Sequence, residues 1–218
     1  MTKKATATAP VEGGLTITQL EATTLLIPIV GTSPLIVHNF SQKSKQAMLD
    51  AQTGKKRPRE IRDPQAEYLA SLYNIEGIDG PKYGFPVTGF KAATVGAARF
   101  YNTKAVNMTA LRQFLFFKGV LTPGDPQMLV PIEGEHRMRE DVVRIGQGSA
   151  DLRYRAEFPE WSAVLKVTFV RNALTKDSVL SLVDAGGLGV GVGEWRPERR
   201  GDFGTYRVDT SKQIQIME

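Results

Sequence analysis

The 218-residue chain contains no cysteine. That excludes disulfides, thiolate zinc sites and cysteine nucleophiles, and it fits a reducing compartment. Histidine is scarce too. His38 and His136 are the only two, too few for a zinc site without thiolates. No apolar run approaches the ~18–20 residues of a membrane span. The opening "MTKKATATAPVEGG" lacks the apolar stretch of a secretory signal. A soluble, cytoplasmic protein with no membrane partner is expected. No G-x-x-x-x-G-K-[ST] run occurs. Gly187, Gly189, Gly191 and Gly193 alternate, so they do not spell G-x-G-x-x-G, and they follow a predicted helix where that fingerprint needs a strand. Nucleotide-cofactor readings therefore fail, and no cofactor is expected. Ser149 and Ser178 lack a nucleophile-elbow context.

Positive charge is present in moderate excess: 28 Lys and Arg against 23 Asp and Glu, a net +5. Its distribution says more than its total. Residues 41–66 hold seven cations and three acids, among them Lys43, Lys45, Lys55, Lys56, Arg57 and Arg59. This proline-broken stretch reads as a solvated linker or as a nucleic-acid patch. Residues 135–160 are polar, show no clear core face and carry Arg137, Arg139, Arg144, Arg153 and Arg155. A long segment of that kind in a compact domain is often functional. After the glycine run come Trp195, Arg196, Arg199 and Arg200. There glycines let a phosphodiester approach backbone amides and a tryptophan offers a stacking face; the alternative is a structural turn with Trp195 in the core.

Hydrophobic periodicity supplies the frame. Residues 1–13 read as a flexible arm. "LLIPIV", from Leu25, is apolar on both pleat faces, as in a central strand covered on both sides, although Pro28 removes a ladder donor. A helix is predicted from Asn39 or Ser41 to about residue 52. A second starts at Thr88 as its cap and runs to about Tyr101, with Phe90, Ala93, Thr94, Ala97 and Tyr101 inward and Lys91, Val95 and Arg99 together on another face. "MTALRQFLFF" reads as a short helix after Asn107. "SAVLKVTFV" is a strand with Leu165, Val167 and Phe169 on one face. "TKDSVLSLVDAGG" is a helix capped by Thr175 and ended by Gly186 or Gly187, and "TYRVD" is a closing strand. Strand, helix, strand, strand, helix, strand is the βαββαβ ferredoxin-like order. The expectation is an α+β fold, a single domain over 14–218 with a basic insertion at 41–82 and a thumb-like arm at 124–160.

His38 ends the first strand region. A lone histidine is more often a hydrogen-bonded structural residue than a catalyst, and as a general base it needs a positioned partner. His136 lies in the polar arm and is expected to face solvent. The acid pairs Asp50/Asp63 and Glu76/Asp79 read as scattered surface acids rather than Mg²⁺ ligands.

Three stretches, in order, resemble the repeat-associated mysterious protein (RAMP) superfamily of CRISPR systems. "IVGTSPLIVHN" is similar to its first-strand segment. "FPVTGFKAATVGAAR" resembles its Pro-x-Ser/Thr-x-x-Lys-Gly-x-x-x-Arg helix start, with Pro86, Thr88, Lys91 and Arg99 in the matching roles. "GVGEWRPERRGDFGTYRV" resembles its C-terminal glycine-rich loop. Ala92 replaces the usual glycine, and the spacing from Lys91 to Arg99 is longer than in the commonest form. The resemblance implies a modified RNA-recognition-motif fold and, with one core and a long arm, a backbone subunit that polymerises head-to-tail along single-stranded guide RNA beside other effector-complex subunits. It implies nucleic-acid contacts from His38, Thr88, Lys91, Arg99, the arm arginines and the Trp195–Arg200 loop. No aspartate carries the pattern of the residue that cleaves target RNA in some backbone subunits, so catalysis is not expected. Two alternatives stay open: a ribonuclease of the same superfamily, and a phage protein that coats or anneals single-stranded DNA. If the arm reaches a neighbouring copy rather than its own core, removing 137–155 leaves the core folded.

Overall fold

The computed structural model describes residues 19–39, 48–50, 52–54, 62–77, 79–101, 107–123, 127–145 and 149–217. The expected arm at 1–13, most of the helix expected after Asn39, and the cations Lys43, Lys45, Lys55, Lys56, Arg57 and Arg59 lie outside the described residues.

The frame is an antiparallel sheet. Strand β1 (Ala22–Gly31) pairs along its length with β10 (Ser162–Val170), from Ala22↔Val170 to Val30↔Ser162. The other side of β1 takes β11 (Tyr206–Val208) and β12 (Gln215–Met217). The far side of β10 takes β5 (Leu115–Lys118) and β7 (Met128–Glu133). Short strands β4 (Tyr83–Pro86), β3 (Tyr73–Asn74) and β6 (Val120–Leu121) extend the sheet beyond β7. Helix α2 (Val87–Gly96) lies between β1 and β5 in the chain, and α4 (Lys176–Gly189) between β10 and β11. The spatial order β11–β1–β10–β5/β7 is the arrangement of a ferredoxin-like βαββαβ core, so the predicted α+β class holds. No helix among the described residues is long and apolar enough to cross a membrane.

Alternation decides which face is buried. Leu25, Ile27 and Ile29 of β1 and Leu165 and Val167 of β10 are buried under α2 and α4, in one core with Phe90, Ala93, Val179, Leu182 and Val183. The opposite face is not covered as expected: Leu26 and Val30 are half-buried and Val164 is 49% exposed. The two helices both stand on one side of the sheet, which leaves the other open. Pro28 fits because β11 ends beside it. Its carbonyl accepts from Asp209 N at 2.9 Å, so its nitrogen faces the gap between β11 and β12 where no ladder acceptor is needed.

Helix α4 runs on to Gly189 instead of stopping at Gly186 or Gly187. Those glycines serve packing, not termination. A Cβ on Gly186 would lie 2.7 Å from Ala93 O of α2, and one on Gly187 would strike Tyr206 O of β11. Thr88 does not cap α2. The chain enters from Pro86 at ψ 128, and the helix begins one residue before Thr88 with no side-chain cap. Helix α3 (Met108–Phe114) is capped by Asn107 as the sequence suggests, but "LFFK" leaves it as strand β5, because Leu115 and Phe117 alternate into the core.

The polar segment is a β-hairpin. Strands β8 (Arg137–Ile145) and β9 (Ser149–Phe158) pair from Arg137↔Glu157 to Ile145↔Ser149, and the base of β9 pairs with β2 (Leu35–Val37). Helix α1 (Pro64–Ala70) packs on β9, and Asp63 is its N-cap, accepting from the amides of Gln65 and Ala66.

Candidate nucleic-acid interface

The site grows from β2, whose three residues are all buried. One edge of β2 holds β9. The other holds the loop that follows α4: Glu194 N donates to Ile36 O at 2.9 Å. Gly193 sits against that same carbonyl at φ 78, where a Cβ would strike Ile36 O. Val192 N donates to Gly204 O and Gly204 N to Pro34 O, so the loop closes on itself and on the β1–β2 turn. The alternating glycines thus let a loop lie flush on a strand.

Four of the five amides from Val190 to Glu194 are donated within the fold. Those of Val190 and Gly191 donate to Gly186 O, that of Val192 to Gly204 O and that of Glu194 to Ile36 O. What the loop does present is Trp195, which is 43% exposed and held at φ 54. Left-handed backbone is unusual for a bulky side chain and costs about 1–2 kcal/mol. Trp195 is therefore not a core plug. Arg200 also stands at φ 65, and Arg199 and Arg200 are exposed without an ion pair among the described residues. Arg196 folds inward, donating to Gly193 O at 3.1 Å and to Glu198 at 2.9 Å.

The hairpin meets this loop through a chain of charges. Arg137 bonds Glu157 at 2.8 Å, Glu157 accepts from Arg139 at 2.8 Å, Arg139 bonds Asp141 at 2.9 Å and Asp141 accepts from Arg155 at 2.8 Å. Arg155 then approaches Glu194 at 3.4 Å, and Glu194 lies 3.8 Å from His38 Nδ1. Glu157 and Arg155 are almost fully buried. Like-charged Arg139 and Arg155 face each other in register, and each is neutralised by a carboxylate on the neighbouring strand. The Arg139 guanidinium also lies over the Phe203 ring at 4.6 Å. Arg139 and Arg155 are thus held by carboxylates inside the fold, whereas Arg137 pairs with Glu157 and stays exposed. Arg153, near Asp151 at 3.8 Å, is half-exposed; Arg144 is placed only as a backbone position of β8.

His38 stands at the head of this network. Burial holds its imidazole below the usual value, Glu194 partly restores it, and Arg155 and Arg153 oppose protonation. At 3.8 Å, Glu194 is beyond hydrogen-bond reach of the ring. His136 is not solvent-facing. It is half-buried against Tyr68, Tyr83 and Phe158, with a short hydrogen bond to the Tyr68 hydroxyl.

Lys91 and Arg99 part company. Eight residues leave them roughly 80° apart around an ideal helix, and the 3₁₀ turn Ala97–Phe100 adds to that. Lys91 Nζ donates to Arg112 O of α3 at 3.0 Å and lies 5.6 Å from the Phe116 ring. Arg99 bonds Gly96 O at 2.9 Å and reaches Glu198 at 3.4 Å, tying α2 to the loop. His38, Gly89 and Arg196 line one cavity, Arg99 reaches its Glu198, Trp195, Arg199 and Arg200 belong to the loop that borders it, and Lys91 bonds α3 instead.

A cavity of about 180 Å³ opens here, between α2 at Gly89 and Ala92, the rings of Tyr73 and Phe85, His38, and the loop from Val190 to Glu198. Sequence reasoning missed Glu194, Asp141 and Glu157. The alternation of charge in "RMREDVVRI" and "DLRYRAEF" around "GQGS" is the signal that marks the hairpin. Among the described residues no group of acids and histidines is placed to hold a metal.

No family model and no curated protein matches the sequence. Among solved structures the chain is similar to "Crystal structure of Cmr6 from Pyrococcus furiosus", at 10% identity and a TM-score of 0.38, over 88% of this chain and 100% of that one.

Proposed function

We propose that this chain binds single-stranded nucleic acid, RNA in preference to DNA, as a non-enzymatic RAMP-like subunit that assembles head-to-tail along the strand in the manner of a CRISPR effector backbone. The order of the three sequence stretches and the ferredoxin-like core support this reading. The observation that carries it is Trp195: a large aromatic, exposed, on left-handed backbone, beside Arg199 and Arg200. Backbone strain that displays a side chain to solvent serves no packing purpose and is retained where the side chain meets a ligand. Base stacking on an aromatic is sequence-tolerant, and the arginines supply phosphate contacts. The uncapped first turn of α2, at Thr88 and Gly89 beside the cavity, adds free amides for one phosphate.

The test is anisotropy with an unstructured single-stranded RNA, with the matched DNA as competitor. Trp195→Ala should weaken binding by about 5- to 100-fold, the range for loss of one base stack. Trp195→Gly should bind as poorly yet be more stable than Trp195→Ala by about 0.5–1 kcal/mol, since glycine relieves the left-handed strain against its larger unfolded-state entropy. Undiminished affinity in both variants overturns the proposal.

A further inference from the structure

We infer that the cavity between α2 and the glycine loop receives a single unstacked nucleobase and selects one that carries an exocyclic amino group. The inference rests on the single-strand-binding reading above and names what that site recognises.

Charge is the first argument. Inside the cavity Arg196 is paired with Glu198 at 2.9 Å, and Glu194 faces Arg155 at 3.4 Å. Among the lining residues two carboxylates, Glu194 and Glu198, stand against one arginine, Arg196, which disfavours an anion inside. Four of the five loop amides from Val190 to Glu194, those of Val190, Gly191, Val192 and Glu194, are already donated within the fold. A phosphate thus stays outside, with Arg199, Arg200 and the start of α2, and a neutral group enters.

Shape is the second. The cavity, about 180 Å³, is lined by Tyr73 and Phe85, whose rings meet edge-on at 6.0 Å, and by the small residues Gly89 and Ala92. A lining that combines aromatic rings, small side chains and a few polar groups suits a flat ring read at its edge, as in other pockets that take an extruded base.

The third is hydrogen-bond capacity. Asp141, Glu157 and Glu198 accept hydrogen bonds of 2.8–2.9 Å. Glu194 differs. Its two neighbours stand at 3.4 and 3.8 Å, longer than a good hydrogen bond, so its carboxylate keeps open acceptor sites at the cavity mouth. A carboxylate accepts from N–H and donates nothing. It matches the amino groups of cytosine, adenine and guanine and opposes the carbonyl that uracil has in the same place.

Oligocytidylate and oligouridylate of about ten nucleotides isolate that difference, since their rings are of equal size and both strands are unstructured at pH 7.5. The full chain should bind oligocytidylate about tenfold more tightly, as expected of one hydrogen bond to a charged group. Two variants locate the effect. Ala92→Leu places a larger side chain in the cavity on an exposed, helix-compatible position. Glu194→Gln replaces an acceptor with a group that both accepts and donates. Each should bring the cytidylate-to-uridylate ratio near one, while binding stays salt-sensitive and circular dichroism is unchanged. Equal affinity of the parent for both strands overturns the pocket inference and leaves single-strand binding standing. A preference that survives in either variant overturns it too. Failure to bind either strand overturns the proposed function and this inference with it.

Discussion

His38 and His136 each place an imidazole where burial disfavours its cation, and both sit below the ordinary value of about 6.5. The unfolded chain therefore binds more protons than the folded one as pH falls below that value. Stability is fully present above about pH 6.5 and declines as pH drops from there toward the lower folded values. Urea midpoints should be lower at pH 5.5 than at pH 7.5, and the double variant His38→Gln/His136→Gln should flatten the difference. A midpoint that rises on acidification contradicts the assignment. The same residues show how environment outranks position: His136 is drawn from a polar stretch into a cage of Tyr68, Tyr83 and Phe158.

At the scale of elements, the hairpin β8–β9 has two unlike halves. Its base is held by β2, α1 and the Arg137–Glu157–Arg139–Asp141–Arg155 chain. Beyond it, Val142 is 68% exposed and Leu152 also faces solvent. Deleting 137–155 strips both arginine partners from buried Glu157, and an unpaired buried charge costs about 3–5 kcal/mol. The deletion is thus expected to destabilise the core, whereas the sequence reading expects it to leave the core folded. Replacing only 142–152 with a short turn removes the exposed Arg62–Asp151 pair, worth under about 1 kcal/mol. Chemical denaturation of the two variants should separate by at least about 2 kcal/mol; equal stability argues that the charge chain contributes nothing net.

For the whole molecule, the apolar residues Val142 and Leu152, beyond the hairpin base, are 68% and 39% exposed. In the proposed head-to-tail assembly those residues would meet the next copy, and a repeated heterologous contact with a screw component builds open filaments. Light scattering with a long single-stranded RNA should report extended particles for the parent. The 142–152 variant should bind the same RNA but form none. Affinity in both should fall with salt at a slope of about −0.7 per phosphate neutralised. A parent that stays monomeric on every strand excludes the filament, and a flat salt plot excludes phosphate-led binding.

Elements with their own periodicity were legible in the chain alone. The run Ser162–Val170 alternates, Thr175 caps the helix after it, and the two fix the order of a βαββαβ core, because pleat and helix period act between near neighbours. Tryptophan and arginine beside a glycine loop left two readings open in the sequence, a stacking face or a turn with Trp195 in the core. Tertiary structure decided the rest. The hairpin alternates in charge rather than hydrophobicity, so no apolar face announced it. Gly186 and Gly187 look like a helix end and are instead contact points with α2 and β11, which lie far away in sequence. Glu194 gains its meaning only where β2 brings His38 beside it and β9 brings Arg155, since a carboxylate's acceptor capacity depends on which donors the fold leaves just out of reach.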